Sequence, residues 1–395
     1  MKRFLASLLL FSAALTLAAP AFAAPGDGGL DGAETVSAVA PDITAPYAIL
    51  IERETGAVLF EKNADERREP ASITKIMTEL LTIEALEAGD ISLDDIVTAS
   101  AYAAGMGESQ IYLREGEKMT VRDILKAIVI NSANDAAVAM AEHLAGSEAT
   151  FAARMNARAA ALGMTDTHFN NASGLFDDPD HYTTARDVAI MSRELISHAL
   201  IKDFTTIWMD TLRDGAFELA NTNKLIHDFE GATGLKTGFT SRAGYCVSAT
   251  AARDGVEYIA VVLGDAGTDA RFVSAAALLN YAFANYTLVS ALPDAPLLPI
   301  KVELGTKAYV QPTVVGGEKL LVTKADAKTL TKTVAIPDRL TAPVAASDEI
   351  GTLTIESGGR TLAVLPLTAG EDAARLSWGA IFGRFVSMLF TPAEF

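Results

Sequence analysis

Three short stretches of this sequence hold residue types that can carry out nucleophilic catalysis: Ser72-Ile73-Thr74-Lys75, Ser132-Ala133-Asn134 and Lys236-Thr237-Gly238. A serine hydroxyl is a weak nucleophile at neutral pH and needs a base within hydrogen-bond reach. At positions i and i+3 of a helix, Ser72 and Lys75 lie on one face and can meet. Lys75 can accept a proton only if part of it is neutral, so its pKa must fall from about 10.4 through burial or a nearby cation. A drop of about three units disfavours the charged lysine by about 4 kcal/mol, which only a folded site can sustain. Lys236 is a candidate for that second cation. Ser132 is suited to relay a proton between Lys75 and a leaving amine, and the Asn134 amide can orient both a substrate and Lys75. Taken singly, each stretch also has a plain structural use, as a helix cap with a surface charge, a turn, or a solvated strand end.

The elements that must position these residues are legible. Ala48-Ile49-Leu50-Ile51 and Ala57-Val58-Leu59-Phe60 read as strands of a hairpin around Glu54-Thr55-Gly56. From Ser72 onward Ile76, Met77, Leu80, Leu81, Ile83 and Leu86 recur at helical spacing as far as a C-cap at Gly89, so the first stretch opens a buried helix. Helices over 121–130 and 135–144 flank Ser132, and a further helix starts at Thr184, where Asp187 suits a capping box. Residues 234–240, 244–251 and 256–263 read as strands, which puts Lys236 on a strand. A hairpin, a block of helices and three more strands predict an α+β domain over 45–287, with helices packed against an antiparallel sheet. Pro293, Pro296 and Pro299 mark a boundary, and short strands at 300–304, 320–323, 351–355 and 361–365 predict a small all-β sandwich over 295–370.

The two ends of the chain bear on where it works. Lys2 and Arg3, an apolar run from Phe4 to Ala19 and Ala21-Phe22-Ala23 have the pattern of a signal peptide over 1–23, followed by a Gly- and Pro-rich linker over 24–44. At the other end, Leu376, Trp378, Ile381, Phe382, Phe385, Val386, Leu389 and Phe390 fall at helical spacing, with Arg375, Ser377, Arg384 and Ser387 available to the opposite side. This predicts an amphipathic helix over 375–391 lying in a membrane interface, since about 20 apolar residues are needed to span. With 395 residues, half of them hydrophobic, the chain can bury a sizeable core. Its formal charge of −18 argues against nucleic acid or anionic lipid as the main electrostatic partner. Cys246 is alone and has no disulfide partner, and the five histidines form no metal-binding motif.

With their neighbours, the motifs read Pro70-Ala71-Ser72-Ile73-Thr74-Lys75-Ile76-Met77-Thr78, Tyr112-Leu113-Arg114-Glu115-Gly116, Asn171-Ala172-Ser173-Gly174-Leu175 and Gly234-Leu235-Lys236-Thr237-Gly238. Over roughly residues 46 to 370 the chain resembles the D-alanyl-D-alanine carboxypeptidase family of low-molecular-mass penicillin-binding proteins. The resemblance implies a β-lactamase/transpeptidase-like catalytic domain and an exported enzyme at the outer, periplasmic face of the cytoplasmic membrane. Its substrates would be peptidoglycan stem peptides, and β-lactam antibiotics would be covalent inhibitors. It implies no cofactor and no metal.

In the implied reaction Ser72 attacks the penultimate D-alanine carbonyl, D-alanine leaves, and water releases the acyl-enzyme. Ser72, Lys75, Ser132 and Lys236 are the implied catalytic residues, and Asn134, Thr237, Gly238 and Phe239 the implied substrate-binding ones. The backbone N–H groups of Ser72 and Phe239 would form the oxyanion hole, while Thr237 with Lys236 would take the terminal carboxylate. Many relatives carry a carboxylate-binding arginine where Thr222 stands; Lys224 and Arg242 are candidate substitutes that read equally as surface charges, and some relatives carry histidine in place of Phe239. His181 reads as structural. Three rivals remain open: a β-lactamase, although no Glu-x-x-x-Asn segment lies between the second and third motifs; a D,D-endopeptidase; and a peptidoglycan-binding or penicillin-sensing module without turnover.

Overall fold

Hairpin β1 (Tyr47–Glu52) and β2 (Val58–Lys62) comes first among the residues described in the computed structural model, which are 40–390 except the side chains of Arg384, Met388, Leu389 and Phe390. The expected signal peptide and most of the expected linker lie outside the described residues, as does the side chain of Arg384. Helices α1 (Lys75–Ala88), α2 (Val121–Asn131), α3 (Asn134–Ala145), α4 (Glu148–Ala161) and α5 (Ala185–Leu195) follow. Strands β3 (Ala232–Thr240), β4 (Gly244–Arg253) and β5 (Val256–Asp265) then lead into α6 (Ala270–Asn285). The five strands form one antiparallel sheet in the order β2-β1-β5-β4-β3, so the third motif stands on an edge strand.

Side-chain alternation along β5 shows how the sheet is covered. Ile259, Val261 and Leu263 face a core shared with α1 and α5, while Tyr258, Ala260 and Val262 face a core shared with α6. A third core joins α2 and α3 to the segment from Val97 to Leu113. Helix α1 is buried on most of its surface and ends at Gly89, whose φ of 76° permits the left-handed cap read from the sequence. Thr184 caps α5 by accepting from the Asp187 N–H.

The second module begins directly off α6, ahead of the prolines. Its strands are β6 (Tyr286–Ser290), β7 (Ile300–Glu303), β8 (Tyr309–Val310), β9 (Thr313–Val314), β10 (Lys319–Thr323), β11 (Leu330–Ala335), β12 (Arg339–Thr341), β13 (Glu349–Ser357) and β14 (Arg360–Thr368). They form the sheets β9-β14-β13-β11 and β8-β7-β12 and the ribbon β6-β10, with β7 and β12 parallel. Helix α7 (Trp378–Phe390) starts three residues after the expected start at Arg375, and residue 391 lies outside the described residues. Arg375 bridges to Gly305, Leu376 donates to the Leu304 carbonyl, and the helix starts only after Ser377.

Candidate active site

Ser72 lies in a 3-10 turn (Ala71–Thr74) that runs straight into α1. Ala71 holds a left-handed φ of 47°, a conformation that costs a non-glycine residue about 1 kcal/mol or more. The turn is fixed from two sides. Thr74 Oγ1 donates to the Ala71 carbonyl at 2.8 Å and lies 2.8 Å from His181 Nε2. The Asn170 N–H donates to His181 Nδ1 at 2.9 Å, which puts the imidazole proton on Nε2. Burial pushes this imidazole down to about 4, so His181 is a neutral brace for the Ser72 turn.

Lys75 is completely buried. Its Nζ lies 2.9 Å from Ser72 Oγ and donates to Asn134 Oδ1 at 2.6 Å and to the Ser173 carbonyl at 2.8 Å. The two carbonyl-type oxygens can only accept, so they take two N–H groups and leave the third direction of the amine to the Ser72 hydroxyl. Burial, reinforced by the nearby Lys236 charge, holds the Lys75 pKa well below the ordinary lysine range, while Glu79 and Asp135 oppose the shift. Ser173 belongs to the Asn171-Ala172-Ser173-Gly174-Leu175 segment, whose Ala172 carbonyl also accepts from Thr78 of α1. A backbone carbonyl leaves no trace in residue type, so sequence reasoning gave this acceptor no role.

Ser132 caps α2 with a left-handed φ of 58° and lines the cleft beside Ser72. Among the described residues no hydrogen bond joins its hydroxyl to Lys75. The Asn134 amide is engaged at both ends, its Nδ2 donating to the Gly107 carbonyl at 2.9 Å, so it holds Lys75 and a cleft wall. Asp135 beside it accepts from the Ile111, Leu113 and Ala136 N–H groups and fixes the same wall. On β3, Lys236 is buried and its Nζ donates to the Thr237 carbonyl at 3.1 Å. Thr237 Oγ1 donates to Thr222 Oγ1 at 2.7 Å. A Cβ on Gly238 would lie 3.0 Å from the Pro70 carbonyl and 3.2 Å from Ala71 Cβ, so glycine lets β3 lie this close to the Ser72 turn without displacing it. Phe239 is half exposed at the cleft mouth and stacks on Tyr245 at 4.3 Å. Ser72, Ser132, Asn134, Thr237, Gly238 and Phe239 line a cleft of about 790 Å³, while Lys75 and Lys236 lie buried behind its wall.

Comparison with known proteins assigns the chain to a family. A family model described as D-alanyl-D-alanine carboxypeptidase matches residues 34–267, and one described as penicillin-binding protein 5, C-terminal domain, matches residues 292–375. The chain is 41% identical over 377 residues to the D-alanyl-D-alanine carboxypeptidase DacF of Bacillus subtilis, covering 94% of this chain and 95% of that one. The chain belongs to the D-alanyl-D-alanine carboxypeptidase family. The DacC carboxypeptidase of Escherichia coli is 34% identical, with 89% of this chain and 90% of that one covered. Penicillin-binding protein 5 from Haemophilus influenzae superposes with a TM-score of 0.77 at 29% identity, covering 85% of this chain and 99% of that one. Penicillin-binding protein D2 from Listeria monocytogenes, in its ampicillin-bound form, has a TM-score of 0.57 at 35% identity and covers 61% and 98%.

In this carboxypeptidase neither candidate substitute for the family arginine lines the cleft, and both read as surface charges. Lys224 pairs with Asp269 at 2.8 Å and Arg242 with Glu69 at 2.6 Å, both outside it. The cleft-lining cation is Arg271, at the start of α6. Its Nη1 donates to the Gly238 and Cys246 carbonyls at 3.0 and 3.2 Å, its guanidinium lies over the Tyr245 ring, and its buried Nε has no partner among the described residues. Cys246 itself is buried on β4, where burial pushes its thiol up to about 11. Among the described residues one group has metal-ligand atoms within 4.8 Å of one another, Glu84, Glu194 and His198. Arg158 already bridges its two carboxylates at 2.7 and 2.6 Å, and none of the three lines the cleft.

Proposed function

We propose that this carboxypeptidase releases the terminal D-alanine of peptidoglycan stem peptides outside the cytoplasm through an acyl-enzyme on Ser72, with Lys75 as its base. The observation that carries the reading is the Lys75 amine, buried, with two N–H groups spent on carbonyl oxygens and its remaining direction 2.9 Å from Ser72 Oγ. Lys75 takes the hydroxyl proton as Ser72 Oγ attacks the penultimate D-alanine carbonyl carbon. The oxyanion that forms is met by the N–H groups of Ser72 and Phe239. Ser132 passes the proton to the departing D-alanine nitrogen as the C–N bond breaks. Water then hydrolyses the ester and restores the Ser72 hydroxyl. The substrate's terminal carboxylate lies against Thr237, within the field of Lys236 and Arg271, which supply the positive charge that Thr222 cannot.

A β-lactam presents a carbonyl to the same serine and acylates it. Mass spectrometry of the penicillin-treated protein is expected to find the adduct on the peptide holding Ser72 and Lys75. A stem-peptide mimic ending in D-Ala-D-Ala is expected to lose one D-alanine. Lys75→Met keeps approximate bulk and removes the base, so acylation collapses while the fold persists. An adduct on another serine, or near-normal acylation of Lys75→Met, would overturn the assignment.

A further inference from the structure

The wall that Asn134 and Asp135 fix carries an aromatic residue in a costly pose. Tyr112 has a left-handed φ of 57° and yet is 66% exposed, so burial does not offset the strain. The pose is held from beneath. Asp135 accepts from the Ile111 N–H at 3.1 Å and from the Leu113 N–H at 2.9 Å, one on each side of Tyr112, which makes the residue between them protrude. Glycine or asparagine would take this backbone conformation with less strain, so the ring itself is what the position presents.

Tyr112 forms one side of a second hollow, of about 510 Å³, between the segment from Ile111 to Glu117 and the hairpin of Met209–Leu212 and Phe217–Ala220. Its ring meets that of Phe217 edge to face, with centroids 6.3 Å apart. The Arg213 guanidinium lies over Phe217 at 5.6 Å and donates to Glu117 at 2.8 Å and to the Ile111 carbonyl at 2.9 Å, which ties hairpin and segment together. Arg114 and Glu115 also line the hollow. Both are exposed, and their side chains make no hydrogen bond or ion pair among the described residues. The charges of Arg114 and Arg213 balance those of Glu115 and Glu117, so the hollow is neutral.

Aromatic rings beside a free donor and a free acceptor suit a neutral ligand with flat apolar faces and polar edges. A pyranose ring is such a ligand: its C–H groups rest on an aromatic face, and its hydroxyl and N-acetyl groups reach the rim. An anionic polymer fits poorly, because the hollow is neutral and the chain has a formal charge of −18. The cleft is close by. Ser109 lines it and its carbonyl accepts from the Asn134 N–H at 2.7 Å, and Tyr112, three residues on, lies at most about 11 Å from Ser109. A peptide of a few residues spans that distance between its scissile bond and the sugar that bears it. Resting on the stem-peptide reading above, we propose that the Tyr112 hollow is a saccharide subsite that takes an N-acetylated amino sugar of the glycan strand carrying the peptide.

The test compares D-alanine release by the full chain from a free peptide ending in D-Ala-D-Ala and from the same peptide joined to a peptidoglycan disaccharide. Wild type is expected to show a KM about tenfold lower for the glycan-borne peptide, at similar kcat. Tyr112→Asn tolerates the left-handed turn and removes the ring, so it is expected to raise that KM about tenfold while free-peptide turnover and benzylpenicillin acylation stay as in wild type. Tyr112→Trp is expected to restore the preference. Peptide-free glycan strands, followed by calorimetry, should bind wild type and not Tyr112→Asn. Should Tyr112→Asn fail to fold, Arg114→Ala combined with Glu115→Ala, both on the surface, reads the same difference. Equal wild-type KM values on the two substrates, no binding of glycan strands, or a folded variant that keeps both properties overturns the saccharide subsite and leaves Ser72 and Lys75 untouched. A wild type that binds glycan strands but neither acylates nor releases D-alanine overturns the reading of the cleft instead.

Discussion

A lysine can act as a base at neutral pH only where its surroundings make its charge costly, and here the cost comes from burial and a second lysine rather than from any one contact. The motif residues Ser72, Lys75, Ser132, Asn134 and Lys236 were legible because each is a chemical type at a fixed spacing. Arg271 and the Ser173 carbonyl were not, since one sits in an element without a motif and the other is backbone. Arg271 yields a direct test of carboxylate recognition. Arg271→Met is expected to lower kcat/KM for a peptide ending in a free D-alanine carboxylate by about 10- to 100-fold, the worth of a charged hydrogen bond. The same peptide with a C-terminal amide should lose far less. Equal losses on both substrates would mean that Arg271 only props β3 and β4 through the Gly238 and Cys246 carbonyls. His181 couples stability to pH. It stays neutral in the fold down to about 4, whereas unfolded histidine titrates near 6.5, so between these values the unfolded chain binds the extra proton. Stability is therefore lost as pH falls through that window, by at most roughly 3 kcal/mol. His181→Gln should be less stable at neutral pH yet flatter across the window when unfolding is followed in denaturant. A slope equal to that of wild type would remove His181 as the source.

At the scale of elements, the hairpin, α1 with its Gly89 cap, α2, α3 and the strands of the main sheet could all be read from period and turn residues. Helices α4 and α6 went unread. Helix α6 buries Phe272, Ala275, Leu278, Leu279 and Ala282 against the sheet but starts at Asp269 without a side-chain cap, so no boundary signal marks it. Strand β11 likewise lies in a segment with little apolar contrast, and tertiary pairing with β13 decides it. What sequence could not convey is how the Asn171–Leu175 segment seats against the Ser72 turn. Gly174 has a φ of 71°, and a Cβ there would lie 1.9 Å from the Ala71 carbonyl oxygen and 2.5 Å from Thr74 Oγ1. Gly174→Ala must therefore push this segment off α1 and withdraw the Ser173 carbonyl from Lys75. The expected result is a loss of at least about 2 kcal/mol of stability with acylation slowed more than about tenfold. Gly163→Ala is the control, because φ there is 80° but nothing lies within 4 Å of the added Cβ. It should cost about 1 kcal/mol and leave acylation unchanged. Similar acylation rates for the two variants would show that the packing of Gly174 does not position Lys75.

The whole molecule joins an α+β catalytic layer to an all-β module whose first ribbon extends the catalytic core, since Leu288 and Leu321 pack against the α6 side of the sheet. Lys319 of that module also pairs with Glu54 in the β1–β2 turn at 2.7 Å. At the far end of the chain Trp378, Phe382 and Phe385 are 87, 67 and 59% exposed, at i, i+4 and i+7 on one face of α7. Three exposed aromatic rings in a row are costly in water unless something covers them. Among the described residues no helix is long and apolar enough to cross a membrane, and with a formal charge of −18 the chain draws little attraction from anionic lipid. We propose that these rings insert into a membrane interface, where apolar burial at roughly 25 cal/mol per Å² would hold the helix. Where to cut is set by the fold, because Arg375 and Leu376 are tied to Gly305 and Leu304 and Ala373 is fully buried. A chain ending at Ser377 keeps those ties and removes only the helix. That form is expected to move from the membrane fraction to the soluble one, to release D-alanine from a soluble peptide at the full-length rate, and to lose activity on wall material in intact cells. Binding of the full-length chain to neutral vesicles should persist in high salt, because burial rather than charge drives it. A truncated chain that stays with the membrane, or full-length binding abolished by salt, would place the anchor outside the aromatic face of α7.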